Sequence, residues 1–335
     1  MMMNVRKRIL VIKLSSLGDI FHALPAVNNL KVGLDADIDW VTQPEYVDLV
    51  RCFPVVSRVI PFPRRQFLSH AKQLYGALRE CRYDYIVDFQ GLLKSAFVAR
   101  LAKGNVRIGP SFHREGTRLF YDVIAGPLDK NRHAVDENLD VVRYLGLPVL
   151  PVAFPVVFPE HRVDLPKPWV GIVPVSRRAN KNWPVASFAE TASVLQQEFG
   201  ASIFLFGTRV DREACERISL TSKVAPGKTS VVNLAGETNL LEMGSWFRQM
   251  DLVVANDSGP LHMAVALGVP VVTIFGPTDP KRTGPYGAGH GVCTTEVACR
   301  PCFAKVCPLP VTGCMSGISV KQVVGEARKV LSRIP

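Results

Sequence analysis

The chain has 335 residues, 47% hydrophobic and 21% charged, with 40 Lys and Arg against 29 Asp and Glu and a formal net charge of +11. That length exceeds one typical core and points to two domains, and the composition is that of an ordinary globular protein. It excludes a membrane-spanning helix, since no run approaches the roughly 18 apolar residues required; the short apolar start "ILVIKL" flows into a polar motif, so it reads as a strand and not a signal peptide, which places the protein in the cytoplasm.

From the N terminus, short apolar strands alternate with helical stretches. "RILVIKL" precedes a helix through "FHALPAVNNLKVG"; then come "IDWVTQ", the helix "PEYVDLVRCF" and the strand "VSRVIPF". The helix "FLSHAKQLYGALREC" leads to "YDYIVDFQG", and "LLKSAFVARLA" leads to "NVRIG". Such βαβα alternation implies a parallel sheet covered on both faces. Residues 133–146 read as a helix stopped by Gly146. Prolines 148, 151, 155, 159, 166 and 168 then suit neither a helix nor a central strand. Residues 1–148 therefore read as one domain, and 149–168 as a linker holding some edge strand.

The alternation restarts at "WVGIVPVS" and runs through "ASIFLFGT", "SVVNLAG", "DLVVAND" and "PVVTIFGP", with helices between. The tail "SVKQVVGEARKVL" carries Val320, Val323, Val324, Ala327 and Val330 at helical spacing. Residues 169–335 thus read as a second α/β domain, whose last helix is able to pack back on the first. A cleft between two such domains is the default ligand site.

Dinucleotide-binding proteins carry G-x-G-x-x-G in the first βα turn. Here "KLSSLGDIFHALPA" has the single glycine Gly18, and the carboxylate of Asp19 stands where a phosphate would dock. This counts against an NAD-linked dehydrogenase. In the second domain the equivalent turn, "VSRRANKNWP", sets Arg177, Arg178 and Lys181 before a helix entered at Pro184. Cations at a loop mouth suit a diphosphate, although a solvated basic loop has the same composition. Further on, "ANDSGPLHMAVALG" delivers Asp257, Ser258 and Gly259 to a helix start, with His262 one turn in. Asp257 or Ser258 is a credible N-cap. Alternatively the free N–H groups and the helix dipole hold an anion, which Gly259 lets approach. The turn "GPTDP", 276–280, lies near the same edge.

Charge is unevenly spread. Residues 51–118 hold thirteen Lys and Arg against four acids. This reads either as solvated faces or as a surface for an anionic partner. Aromatics are not interleaved as stacking platforms, so an acidic lipid or phosphorylated glycolipid fits better than nucleic acid. Of eight cysteines, Cys299, Cys302, Cys307 and Cys314 form C-x2-C-x4-C-x6-C. A metal site, a reversible disulfide and a packed loop of thiols all stay open for them.

"ILVIKLSSLGDIFHALPA", "NKNWP" and "NDSGPLHMAVALGVPVVTIFGPTDP" together resemble the ADP-heptose:lipopolysaccharide heptosyltransferases of glycosyltransferase family 9. The likeness spans nearly the whole chain, and the cysteine tail resembles that of heptosyltransferase II members. The resemblance implies an α/β GT-B fold, two Rossmann-like domains facing each other across a cleft. It implies inverting transfer of heptose from ADP-heptose to the lipopolysaccharide core–lipid A acceptor, with no cofactor, no metal and no nucleic acid. Residue by residue, Asp19 matches the proposed general base, while Ser15, Ser16 and Gly18 shape its turn. Lys181 matches the lysine on the donor phosphates. Asp257, Ser258, Gly259 and His262 match the D-[ST]-G-x-x-H donor motif, and Ser176 is a further donor-side candidate. The family's acidic donor contact falls on Asp211 or Glu213. A basic first domain fits peripheral docking on the anionic inner leaflet. A related transferase using another sugar nucleotide, and a non-catalytic nucleotide-binding or metal-responsive module, are the rival readings.

Overall fold

A computed structural model of the chain describes residues 6–63, 67–160, 165–221, 231–309 and 312–333. It divides into two units, Met1–Val157 and Phe158–Pro335. In the first, strands β1 (Arg8–Ile12), β2 (Asp37–Thr42), β3 (Arg58–Pro61), β4 (Tyr83–Asp88), β5 (Gly104–Pro110) and β6 (Val123–Ala125) form one parallel sheet in the order β3-β2-β1-β4-β5-β6. In the second, β7 (Trp169–Val173), β8 (Ser202–Leu205), β9 (Val231–Asn233), β10 (Leu252–Asn256), β11 (Val271–Ile274) and β12 (Gly291–Cys293) are parallel in the order β12-β11-β10-β7-β8-β9. Counted from its own first strand, each sheet has the same doubly wound order. Each therefore reverses at one strand pair, β1–β4 and β7–β10, and ligands of such sheets bind beyond the strand C-termini at that reversal.

The apolar runs in the sequence explain the middle of each sheet. Ile9–Ile12 and Leu252–Ala255 are fully buried, because helices cover both faces. The first core gathers Leu10, Ile12, Val41, Ile86, Ala96 and Val98. The second gathers Val170, Ile172, Val254, Ile274, Trp183 and Phe188.

Three expectations change. The first helix runs Leu17–Gly33, so Gly18 and Asp19 lie inside its first turn, because Ser16 takes the N-cap. Residues 133–146 hold two short helices, Ala134–Asn138 and Asp140–Tyr144, interrupted at Leu139. The described residues of 149–168 contain no strand: Leu150 N–H donates to Asn29 Oδ1 and Val157 N–H to the Cys52 carbonyl, bonds to a helix and a turn instead of a sheet edge. The last helix is Val320–Leu331. It lies on the helix Val185–Phe199 and on β10–β12, and its buried Val323, Ala327 and Leu331 complete the second core.

Some close contacts admit only glycine. A Cβ on Gly109 of β5 would lie 2.2 Å from the Tyr121 ring, whose hydroxyl donates to Asp88 Oδ2 at 2.6 Å. We predict that Gly109→Ala costs about 1–3 kcal/mol by overpacking. Urea unfolding checks this, and an unchanged midpoint would refute it.

Candidate functional site

At the reversal in the first sheet, polar residues end β1 and β4. Lys13 follows β1, is 5% exposed, and its ammonium donates to the Phe89 carbonyl at 2.7 Å. Gln90 Oε1 accepts from the Leu14 and Ser15 N–H groups, both at 3.2 Å, tying the turn after β1 to that after β4. Asp88 is fully buried. Its Oδ1 takes the N–H groups of Gln90 and Gly91, at 2.7 and 3.1 Å, and its Oδ2 takes the Tyr121 hydroxyl. Burial pushes the Asp88 carboxyl up, and these hydrogen bonds oppose that shift.

Asp19 sits at the third helical position. Its Oδ2 accepts from the Ser16 N–H at 2.9 Å and the Ser16 hydroxyl at 2.7 Å, half of a capping box. Burial alone would raise its carboxyl. The charge of Lys13, then His22 and the two Ser16 bonds, outweigh burial and hold it at about 2. Burial pushes the Lys13 ammonium down, against the pull of Asp19, Asp88 and Glu137. Asp19 is thus a carboxylate throughout the physiological range. Ser15, Ser16, Gly18 and Asp19 lie together at this turn and helix start. Lys13, Asp88 and Gln90 were not singled out in the sequence. Their signal was a polar residue at or just past the end of a buried strand.

At the reversal in the second sheet, Asp257 follows β10 and is 6% exposed. Its Oδ2 accepts from the Lys181 ammonium in a short contact and from Thr278 Oγ1 at 2.6 Å. The "NKNWP" loop is fastened from below. Asn256 Oδ1 accepts from the Trp183 N–H at 3.1 Å, and Asn256 Nδ2 donates to the Pro174 carbonyl at 2.7 Å. Ser176 uses its N–H on Asn182 Oδ1 and its hydroxyl on the Arg178 carbonyl, so it shapes the loop. Arg177 and Arg178 are exposed.

The helix Gly259–Ala266 starts beside this pair. Ser258 holds the N-cap with extended backbone, yet its hydroxyl makes no capping bond. That hydroxyl is buried and has no hydrogen-bond partner among the described residues. Asn239, Asp279 and Ser319, by contrast, each cap their own helices. With Asp257 turned to Lys181 and Thr278, neither capping candidate caps this helix, which favours the anion reading over the capping one. His262 lies buried in the same helix. Asp211 Oδ2 is occupied by the Thr208 N–H and hydroxyl, both at 2.7 Å, while Glu213 is exposed.

The cysteine loop leans on this site. Arg300 Nε donates to the Gly276 carbonyl at 2.6 Å, the Phe303 N–H to the Pro277 carbonyl at 2.8 Å, and Asn180 Nδ2 to the Ala304 carbonyl at 2.9 Å. The guanidinium of Arg282 lies 5.2 Å from the Phe303 ring centroid. All eight cysteines are free thiols. Among the described residues, no three or more His, Cys, Asp or Glu side chains are grouped to hold a metal. Burial pushes the Cys314 thiol up, with Cys299, Cys302 and Cys307 adding to it.

Lys181 and Asp257 are 15% and 6% exposed at the side chain. Removing one partner strands a buried charge. We predict that Asp257→Ala lowers stability by about 3 kcal/mol and Asp257→Asn by less. Denaturant titration of both variants checks this, and equal stability in all three proteins would refute it.

Residues 71–312 match the family described as glycosyltransferase family 9 (heptosyltransferase). The lipopolysaccharide heptosyltransferase 1 of Pseudomonas aeruginosa is 28% identical over 326 residues, covering 90% of this chain and 87% of the relative. The structure of Escherichia coli heptosyltransferase WaaC with ADP is 27% identical, with a TM-score of 0.72 over 85% of this chain and 92% of that one. The E. coli ADP-heptose lipopolysaccharide heptosyltransferase II is 25% identical, with a TM-score of 0.75 over 97% and 99%. The chain therefore belongs to glycosyltransferase family 9, the heptosyltransferases, and is a glycosyltransferase of the α/β GT-B class.

Proposed function

We propose that the protein transfers heptose from ADP-heptose to the inner core of lipopolysaccharide, with inversion at the anomeric carbon. The observation that carries this reading is the second reversal. There the Lys181 ammonium, held by Asp257, whose Oδ2 also accepts from Thr278, stands beside an uncapped helix N-terminus. A cation and free N–H groups at one point form a site for a diphosphate. Lys181 has three donors and spends one on Asp257, so others remain for phosphate oxygens. Ser258, Gly259 and His262 complete the donor site.

The chemistry then follows. Asp19 Oδ1 takes the proton of the acceptor hydroxyl, since Oδ2 is occupied by Ser16. The acceptor oxygen forms its bond to the anomeric carbon as the bond to the β-phosphate oxygen breaks. ADP departs with the electron pair, and Lys181 and the helix dipole meet the charge that develops. Nothing in this sequence of events calls for a metal or cofactor, so EDTA should leave the rate unchanged.

The acceptor is lipid-anchored and phosphorylated, which suits the basic first unit and a peripheral place on the cytoplasmic face of the inner membrane. The cysteine tail favours addition of the second heptose. The name of the P. aeruginosa relative favours the first. Assaying acceptors that carry no heptose or one heptose decides between them.

Asp19→Asn keeps an acceptor for the Ser16 N–H and removes the base. It should lower kcat roughly 10²- to 10⁴-fold while ADP affinity, read by calorimetry, holds steady. Retained turnover would place the base elsewhere. The folded carboxyl titrates at about 2, below the 3.8 of a free aspartate, so the stability it contributes is complete above about pH 4 and is lost toward pH 2. It should accordingly set no acid limb in kcat/KM between roughly pH 5 and 8. Lys181→Ala should raise the Kd for ADP roughly 10- to 100-fold and slow transfer. Unaltered ADP affinity would remove Lys181 from the phosphate site.

A further inference from the structure

The helix Leu93–Leu101 begins three residues beyond Gln90, at the same carboxyl edge of the first sheet as Asp19. Leu93 and Phe97 stand one turn apart on it and are 49% and 44% exposed. The short 3-10 turn Thr117–Phe120 packs against this helix, and its Leu119 is 90% exposed. Two bonds clasp the neighbouring segments: the Leu93 N–H donates to Glu115 Oε2 at 2.8 Å, and the Arg114 N–H to the Gly91 carbonyl at 2.9 Å. A groove of about 740 Å³, lined by Phe62, Leu92, Leu93, Lys94, Phe97 and Glu115, opens beside them. Clustered apolar side chains left in water mark an interaction surface.

The charges on this surface are almost all of one sign. Arg100 on the helix, Arg118 on the turn and Arg114 just before that turn are exposed. The nearby acid, Glu115, is spent on the helix N-terminus. The wider stretch 51–118 holds thirteen basic residues, of which Arg64 and Arg65 lie outside the described residues, against four acids. Apolar side chains bordered by cations complement an anionic bilayer, whose headgroups are negative and whose acyl boundary is apolar.

We propose that this surface docks the first unit on an anionic lipid bilayer. Leu93, Phe97 and Leu119 enter the acyl boundary, and Arg100, Arg114 and Arg118 meet the headgroup phosphates. The proposal rests on the lipid-anchored acceptor inferred above. It adds that the edge holding the base is the edge turned to the membrane.

Flotation of the full chain with vesicles tests it. The chain should float with phosphatidylglycerol–phosphatidylcholine vesicles, less with phosphatidylcholine alone, and less as salt rises. Arg100→Ser/Arg114→Ser should lower partitioning roughly 30-fold, and Leu93→Ser/Phe97→Ser about tenfold or more, with melting temperatures unchanged. Variants that float like the wild type, a wild type that ignores both vesicles, or one that leaves them for an RNA oligonucleotide would each overturn the proposal. Transfer to a water-soluble, deacylated acceptor separates the two readings. If it fails while vesicle binding is intact, heptosyl transfer is wrong and the surface stands. If it persists without vesicle binding, only the surface is wrong.

Discussion

A parallel sheet that winds outward in both directions from its first strand must reverse at one strand pair. At that pair the crossovers leave in opposite directions, and the strand ends are covered by neither. Polar groups there need partners, and they also lie open to a ligand. This chain meets the constraint twice, at β1–β4 and at β7–β10. The side chains given chemical roles here are placed by one reversal or the other.

The two reversals solve the problem with opposite charge arrangements. In the first, the cation Lys13 is buried and fixed to a carbonyl, and the carboxylate Asp19 lies at the helix start. In the second, the carboxylate Asp257 is buried and fixed by Thr278, and the cation Lys181 lies over the helix start. In the first, the charge of Lys13 helps keep Asp19 ionised; in the second, Asp257 fixes the Lys181 ammonium in place. A carboxylate so held suits proton acceptance, and an ammonium so held suits a departing diphosphate. One sheet plan thereby supports two chemical tasks.

The donor-side arrangement also depends on residues distant in sequence. Asn180, Gly276 and Pro277 are tied to the loop carrying Arg300, Phe303 and Ala304. Trp183 is tied through its indole N–H to the Ile318 carbonyl at 2.9 Å. The cysteine-bearing tail therefore braces the loops that present Lys181 and Thr278. Those ties run through Arg300 and the tail's backbone, and its four thiols are free.

Much of this was legible in the sequence because local rules sufficed. Buried strands write themselves as apolar runs, their alternation with helices gives the parallel sheets, and the motifs around Asp19, Lys181 and Asp257 sit just after those strands. Helix starts were less legible: the first helix begins at Leu17 because the Ser16 N–H and hydroxyl bond the Asp19 carboxylate across its first turn, a choice between turn and helix that local propensity leaves balanced. Only the tertiary structure decided that Asp257 binds Lys181 and Thr278 and leaves the helix uncapped, that Gln90 locks the Ser15 turn, and that the last helix completes the second core. The physical reason is common to all three. A side chain's hydrogen-bond partner is set by which strands become neighbours, and the strand order joins residues 76 positions apart that no local pattern connects.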